Sequence, residues 1–127
     1  MNKNAEKWVE ALRSGRFSQT QGRLLLWDNA QSFCCLGVAC ELYREEVGSL
    51  DWLGTEKPHV FQILGEEGIL PLVVMEWLGL NTPKGEFGID TFNTLIWEND
   101  EGTSFEEIAN IIESEPEGLF VEVSTDA

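Results

Sequence analysis

Ala5, Trp8, Val9 and Leu12 recur at i, i+3, i+4 and i+7, so a helix through them carries one apolar stripe. Gly15 stands where a left-handed residue would end that helix. A polar loop follows from Arg16, and the apolar run Leu24-Leu25-Leu26-Trp27 predicts a short strand closed by a turn at Asp28-Asn29. Ser32 is placed to cap a second helix, whose stripe is Phe33, Leu36, Ala39, Cys40, Tyr43 and Val47 before Gly48 stops it.

Residues 48–69 are rich in glycine and acid and read as a connecting region with one short helix near 58–64. Pro71 suits the first turn of a helix from Leu72 through Leu78 to a Gly79 stop, and Asn81 to Gly85 is turn chemistry. Asp90 is a candidate cap for a short helix carrying Phe92, Leu95 and Ile96, and Asn99-Asp100-Glu101-Gly102 reads as a turn. Ser104 and Glu107 have capping-box spacing ahead of Phe105, Ile108, Ala109 and Ile112 at helical period. Leu119, Val121 and Val123 alternate with polar or outward positions, the period of a terminal strand. The expected fold is therefore α+β, four to five short helices packed with a small two- or three-stranded sheet. It occupies residues 1–127 as a single compact domain, since no linker or repeat divides the chain.

The chain has 127 residues, 43% of them apolar, enough to bury a core without disulfide staples. Its N-terminus opens polar and no apolar run approaches the ~20 residues of a membrane span, so a protein that is neither exported nor membrane-bound is expected. All three cysteines fall between Cys34 and Cys40, two of them adjacent, which suits reduced thiols in a cytoplasm better than a secreted disulfide framework. The formal charge of −15 comes from 23 acidic and 8 basic side chains, and it argues against direct binding to nucleic acid or anionic membranes. The charge is uneven. Residues 1–30 hold Lys3, Lys7, Arg13, Arg16 and Arg23 against Glu6, Glu10 and Asp28, a balance of +2 that leaves −17 for the other 97 residues.

Several chemistries can be weighed on spacing alone. A thiol near a helix N-terminus is acidified by the helix dipole, so Cys34 or Cys35 is the nucleophile in a Cys-His hydrolase reading. The sole histidine, His59, sits in Lys57-Pro58-His59-Val60 with no group marked to orient it, and small-residue packing is the preferred role for the cysteines. Cys34, Cys35 and Cys40 lack the paired spacing of a zinc site. A calcium loop with Gly102 at its sixth position would put Trp97 first and Ile108 twelfth, where carboxylates are needed. No phosphate-loop pattern is present. No cofactor and no metal is expected. What remains is Arg13, Arg16, Gln21, Arg23 and Trp27, in which guanidinium groups can grip phosphate, an amide can read a base edge and an indole can stack on a planar ligand. These five are the candidate ligand-binding residues.

Phe33-Cys34-Cys35-Leu36-Gly37-Val38-Ala39-Cys40-Glu41-Leu42-Tyr43, with Ala11-Leu12-Arg13-Ser14-Gly15, Gln21-Gly22-Arg23-Leu24, Leu70-Pro71, Trp77-Leu78-Gly79-Leu80 and Asn99-Asp100-Glu101-Gly102-Thr103-Ser104-Phe105, resembles a family of small proteins of tailed bacteriophages and prophages. The likeness spans nearly the whole chain. It implies a phage origin, the cytoplasm of an infected bacterium and an accessory role, and it implies no mechanism. Trp97-Glu98 departs from the family pattern, which has a more apolar approach to the Asn-Asp pair.

Together these observations favour a non-enzymatic accessory protein that counteracts bacterial immunity by sequestering a small anionic, nucleotide-type signalling molecule in the Arg13 to Trp27 segment. A homo-oligomer is expected, because ligand sites at subunit seams recruit groups from two chains. The alternative is an acidic protein–protein inhibitor or DNA mimic of a host defence complex, acting through the −17 portion. A cysteine hydrolase is the third reading.

Overall fold

The computed structural model describes residues 1–89 and 93–122. Helix α1 (Lys3–Arg13) starts where the Asn2 side chain accepts the Ala5 amide, and Gly15 at φ +78° follows its Ser14 cap. Ala5, Trp8, Val9 and Leu12 are buried as their spacing requires. The apolar run after Arg23 becomes strand β1 (Leu25–Asp28), and Asn29 at φ +64° makes the tight turn into β2 (Ala30–Phe33). Ser32 lies in β2 and not at a helix start. Cys34 takes the capping role instead, its Sγ accepting the Gly37 amide at 3.4 Å as α2 (Cys35–Val47) begins.

The connecting region folds as strand, not helix. β3 (Leu53–Gly54) pairs with β4 (Val60–Gln62), which pairs in turn with β1. His59 at φ +64° delivers its carbonyl to the Trp27 amide, so the residues expected to coil near 58–64 are drawn into the sheet by β1. The sheet has order β2-β1-β4-β3, antiparallel throughout. Helix α3 (Leu72–Leu78) begins after Pro71 and ends at left-handed Gly79.

β5 (Glu86–Phe87) and β6 (Asn93–Thr94) form a small second sheet, and Thr94 caps α4 (Leu95–Asp100). The proposed Asp90 cap and Phe92 fall outside the described residues, while Leu95 and Ile96 lie in α4. Asn99 and Asp100 are helical, so the turn comes later, at Glu101-Gly102. Ser104 then caps α5 (Phe105–Glu113) by accepting the Glu107 amide. The last apolar alternation gives a single bridge, Leu80 to Phe120, rather than a strand, and Val123 lies outside the described residues. Among the described residues, five helices, a four-stranded sheet and a two-stranded sheet thus make an α+β fold.

The core lies between α1, α2, α4, α5 and the larger sheet, with Trp8, Leu24, Leu25, Leu36, Leu95, Ile108 and Ile112 fully buried. The Trp8 indole donates to the Cys35 carbonyl at 2.8 Å, which satisfies its one polar atom. Gly37 lets α2 lie against the backbone of Leu24, since a Cβ there would come within 1.8 Å of the Leu24 carbonyl oxygen. Among the described residues no helix is long and apolar enough to cross a membrane.

Candidate functional site

Local chemistry separates the five candidate ligand residues. Arg13 ends α1 and reaches α5, where it forks onto Glu113 at 2.9 and 3.1 Å, bonds Asn110 at 2.6 Å and lies 3.7 Å from Glu106. That hydrogen-bonded fork raises the Arg13 pKa and lowers that of Glu113. Arg16 turns to α2 instead, pairing with Glu45 at 2.5 Å and covering the Phe17 ring at 4.7 Å. Arg23 donates to its neighbouring Gly22 carbonyl, and Gln21 is exposed on the same turn. Trp27 is 44% exposed and packs against Phe61 with ring centroids 5.4 Å apart.

The structure therefore carries Arg13 and Arg16 to different helices and closes both on carboxylates. Gln21, Arg23 and Trp27 follow one another along the run into β1, with Arg23 turned back on Gly22 and Trp27 against Phe61 in the sheet. None of the five residues lines either of two hollows on the described surface. One, of about 530 Å³, lies between Met1, Leu78, Phe120 and Val121 with Glu115 and Glu117 on its rim, and Glu115 is met by the chain's N-terminal amine at 2.5 Å. The other, of about 490 Å³, is shallow and polar, beside the Lys57–Glu67 ion pair.

The cysteines are packing residues. All three are free and buried, and burial pushes the Cys34 thiol up to about 12 and those of Cys35 and Cys40 well above the ordinary thiol range. Desolvation outweighs the helix amides here, because a thiolate cut off from water loses more than the N–H groups return. His59 is exposed, with Nε2 3.9 Å from Asp28 Oδ1. No cluster of three or more His, Cys, Asp or Glu suited to a metal occurs among the described residues.

One buried amide joins the parts of the chain. Asn99 is fully buried, and its Oδ1 accepts both the Cys35 backbone N–H at 3.0 Å and the Gln19 side chain at 2.9 Å. Its Nδ2 donates to the Thr20 carbonyl at 2.8 Å. Next to it, Asp100 accepts the Gly22 amide at 2.8 Å. This hub fixes α4 against the start of α2 and the loop before β1.

The chain beyond Lys84 is acidic, and an exposed indole stands in it. From residue 85 onward the chain has Glu86, Asp90, Glu98, Asp100, Glu101, Glu106, Glu107, Glu113, Glu115, Glu117, Glu122 and Asp126, and no lysine, arginine or histidine. Of the described ones only Glu98 is half-buried, and the others are exposed. Trp97 is 51% exposed among them. Elsewhere the cations are engaged: Lys7, Arg13, Arg16, Arg44 and Lys57 each lie against a carboxylate. Sequence reasoning gave the −17 portion as the contact surface of the alternative reading and did not single out the stretch beyond Lys84 or Trp97 within it. The signal was the run of acids after Lys84 without a single cation.

No curated protein and no solved structure matches the chain. A family model does, over residues 1–116, from the helix that carries Arg13 through the Asn99 hub and α5. On that match, the chain belongs to the family described as Domain of unknown function (DUF8296).

Proposed function

We propose that this is a non-enzymatic accessory protein that works by binding a basic partner protein through the acidic surface of its C-terminal half. It would act as an inhibitor or DNA mimic. The observation that carries this reading is where the cations sit: the sequence beyond Lys84 has none, five of the eight are held on carboxylates within the chain, and of these five only Arg13 reaches the acids beyond Lys84, at Glu106 and Glu113. Such a field attracts a positively charged face, repels nucleic acid and speeds encounter with the partner. In the setting that the phage likeness implies, the partner is a component of a bacterial defence complex met in the cytoplasm of the infected cell.

The exposed Trp27 beside Phe61, with Arg23 on no carboxylate among the described residues, favours a second reading: a small anionic, nucleotide-type ligand stacked on that face, shared across a homo-oligomer seam. Arg13 and Arg16 are committed elsewhere and take no part in it. Two measurements separate the readings. The immobilised protein should retain basic proteins from a bacterial extract and release them at moderate salt, while a panel of cyclic dinucleotides, cyclic trinucleotides and ADP-ribose derivatives leaves its Tm unchanged. Thermal stabilisation by a micromolar nucleotide, lost in Arg23→Ala, together with no salt-released basic partner, would replace the first reading with the second.

A further inference from the structure

Trp97 sits on α4, the short helix that carries the buried Asn99. In α4 the buried positions are Leu95 and Asn99, one turn apart. Trp97 lies midway between them, about 200° around the helix from each, so it is turned away from the core. Its backbone is held at both ends: its N–H donates to Thr94 Oγ1 at 2.9 Å and its carbonyl accepts the Glu101 amide at 2.9 Å. With Asn99 locked by three partners on the inner side, the outward indole is displayed by a rigid support.

Carboxylate residues lie before and after it on neighbouring backbone. Glu101 follows at i+4, the neighbouring position on a helix face. Glu86 pairs with Thr94 across β5 and β6, which brings a second carboxylate residue to the start of α4. Glu98 is held by Thr103 Oγ1 at 2.8 Å. Lys84, whose carbonyl accepts the Ile96 amide, is the cation closest along the chain.

A planar, electron-rich indole with a carboxylate residue one turn on and another on the adjoining strand pair is complementary to a guanidinium, which stacks on the ring face while its N–H groups fork onto an acid. An ammonium is more strongly hydrated and gains less from the same surface. We infer that Trp97, with Glu86 and Glu101 beside it, is the anchor point at which this protein grips an arginine of a basic polypeptide. The inference rests on the acidic-surface reading and names the part of that surface, and the side chain on the partner, that dominate the contact.

The test uses labelled nona-arginine and nona-lysine peptides, with fluorescence anisotropy read at two salt concentrations and far-UV circular dichroism confirming each variant's fold. Wild type should prefer nona-arginine. Trp97→Ala should weaken nona-arginine about three- to tenfold while leaving the salt slope unchanged, since no charge is removed. Glu101→Gln should lower both affinity and slope. Trp27→Ala, which removes a comparably exposed indole, should bind as wild type does. If Trp97→Ala binds like wild type, or Trp27→Ala loses as much, the anchor assignment is wrong though the acidic-surface reading stands. If wild type binds neither peptide, the acidic-surface reading itself is wrong.

Discussion

The side chain of Asn99 accepts the backbone N–H of Cys35 at 3.0 Å, so a residue 64 positions along the chain supplies a partner for one of the unpaired amides at the start of α2. The same oxygen takes the Gln19 amide, and the nitrogen serves Thr20. Asn99→Ala leaves buried donors and an acceptor unmet at once. The expected loss is about 3 kcal/mol of unfolding free energy, read as a lower urea midpoint. A midpoint within experimental error of wild type would show that the hub contributes nothing to stability.

Gly37 faces the Leu24 backbone with no room for a methyl group. In Gly37→Ala, helix and chain must move apart, and neither contact atom is a flexible side-chain tip. The loss should be about 3 kcal/mol or more, with the variant recovered poorly or unfolding well below wild type. Gly54→Ala, where a Cβ meets open space, is the control and should change little.

Burial of Cys34, Cys35 and Cys40 predicts that an aromatic disulfide reagent labels none of them in the native protein and all three in denaturant. With the Cys34 thiol pushed up to about 12, roughly one molecule in ten thousand carries the thiolate near pH 8. Labelling at the rate of an exposed thiol would overturn this assignment and restore the nucleophile reading.

The Arg13–Glu113 fork ties the end of α1 to the end of α5. Glu113 is more acidic in the folded protein than in the unfolded chain, chiefly through its hydrogen bond to Arg13, so its protonation favours unfolding. The stabilisation is present above the ordinary carboxylate range and fades as pH falls through the lowered folded value. Glu113→Gln should therefore unfold at a lower temperature than wild type at neutral pH, and the gap should close below about pH 4. A gap that persists unchanged in acid would mean that the carboxylate's charge is not what matters.

Local periodicity made the helices legible. Ala5, Trp8, Val9 and Leu12, and Phe105, Ile108, Ala109 and Ile112, each buried the face their spacing implied, and Ser104 capped as its position suggested. The region around Val60 misled because Val60 and Phe61 of β4 take their conformation from pairing with β1, some 35 positions earlier, and a glycine-rich stretch has little pattern of its own. Asn99 misled in the opposite way: an Asn-Asp-Glu-Gly run has turn chemistry, but the amide found buried partners that only the tertiary fold brings near. The arginines clustered in sequence and then dispersed, because α1 runs along α5 while the loop after it turns to α2. The acidic half was present in composition, and only the fold showed Trp97 standing out of it.

Charge placement is tested most directly by two variants of equal net charge. One carries Glu→Gln at Glu86, Glu101, Glu107 and Glu117, and the other at Glu6, Glu10, Glu46 and Glu56, all exposed positions. Binding of a basic polypeptide such as protamine is followed as salt rises. The account predicts that the first variant loses most of its affinity and flattens the dependence of log K on log salt, while the second stays close to wild type. Equal losses in both variants would contradict it, because binding would then follow net charge alone and not the surface of the C-terminal half.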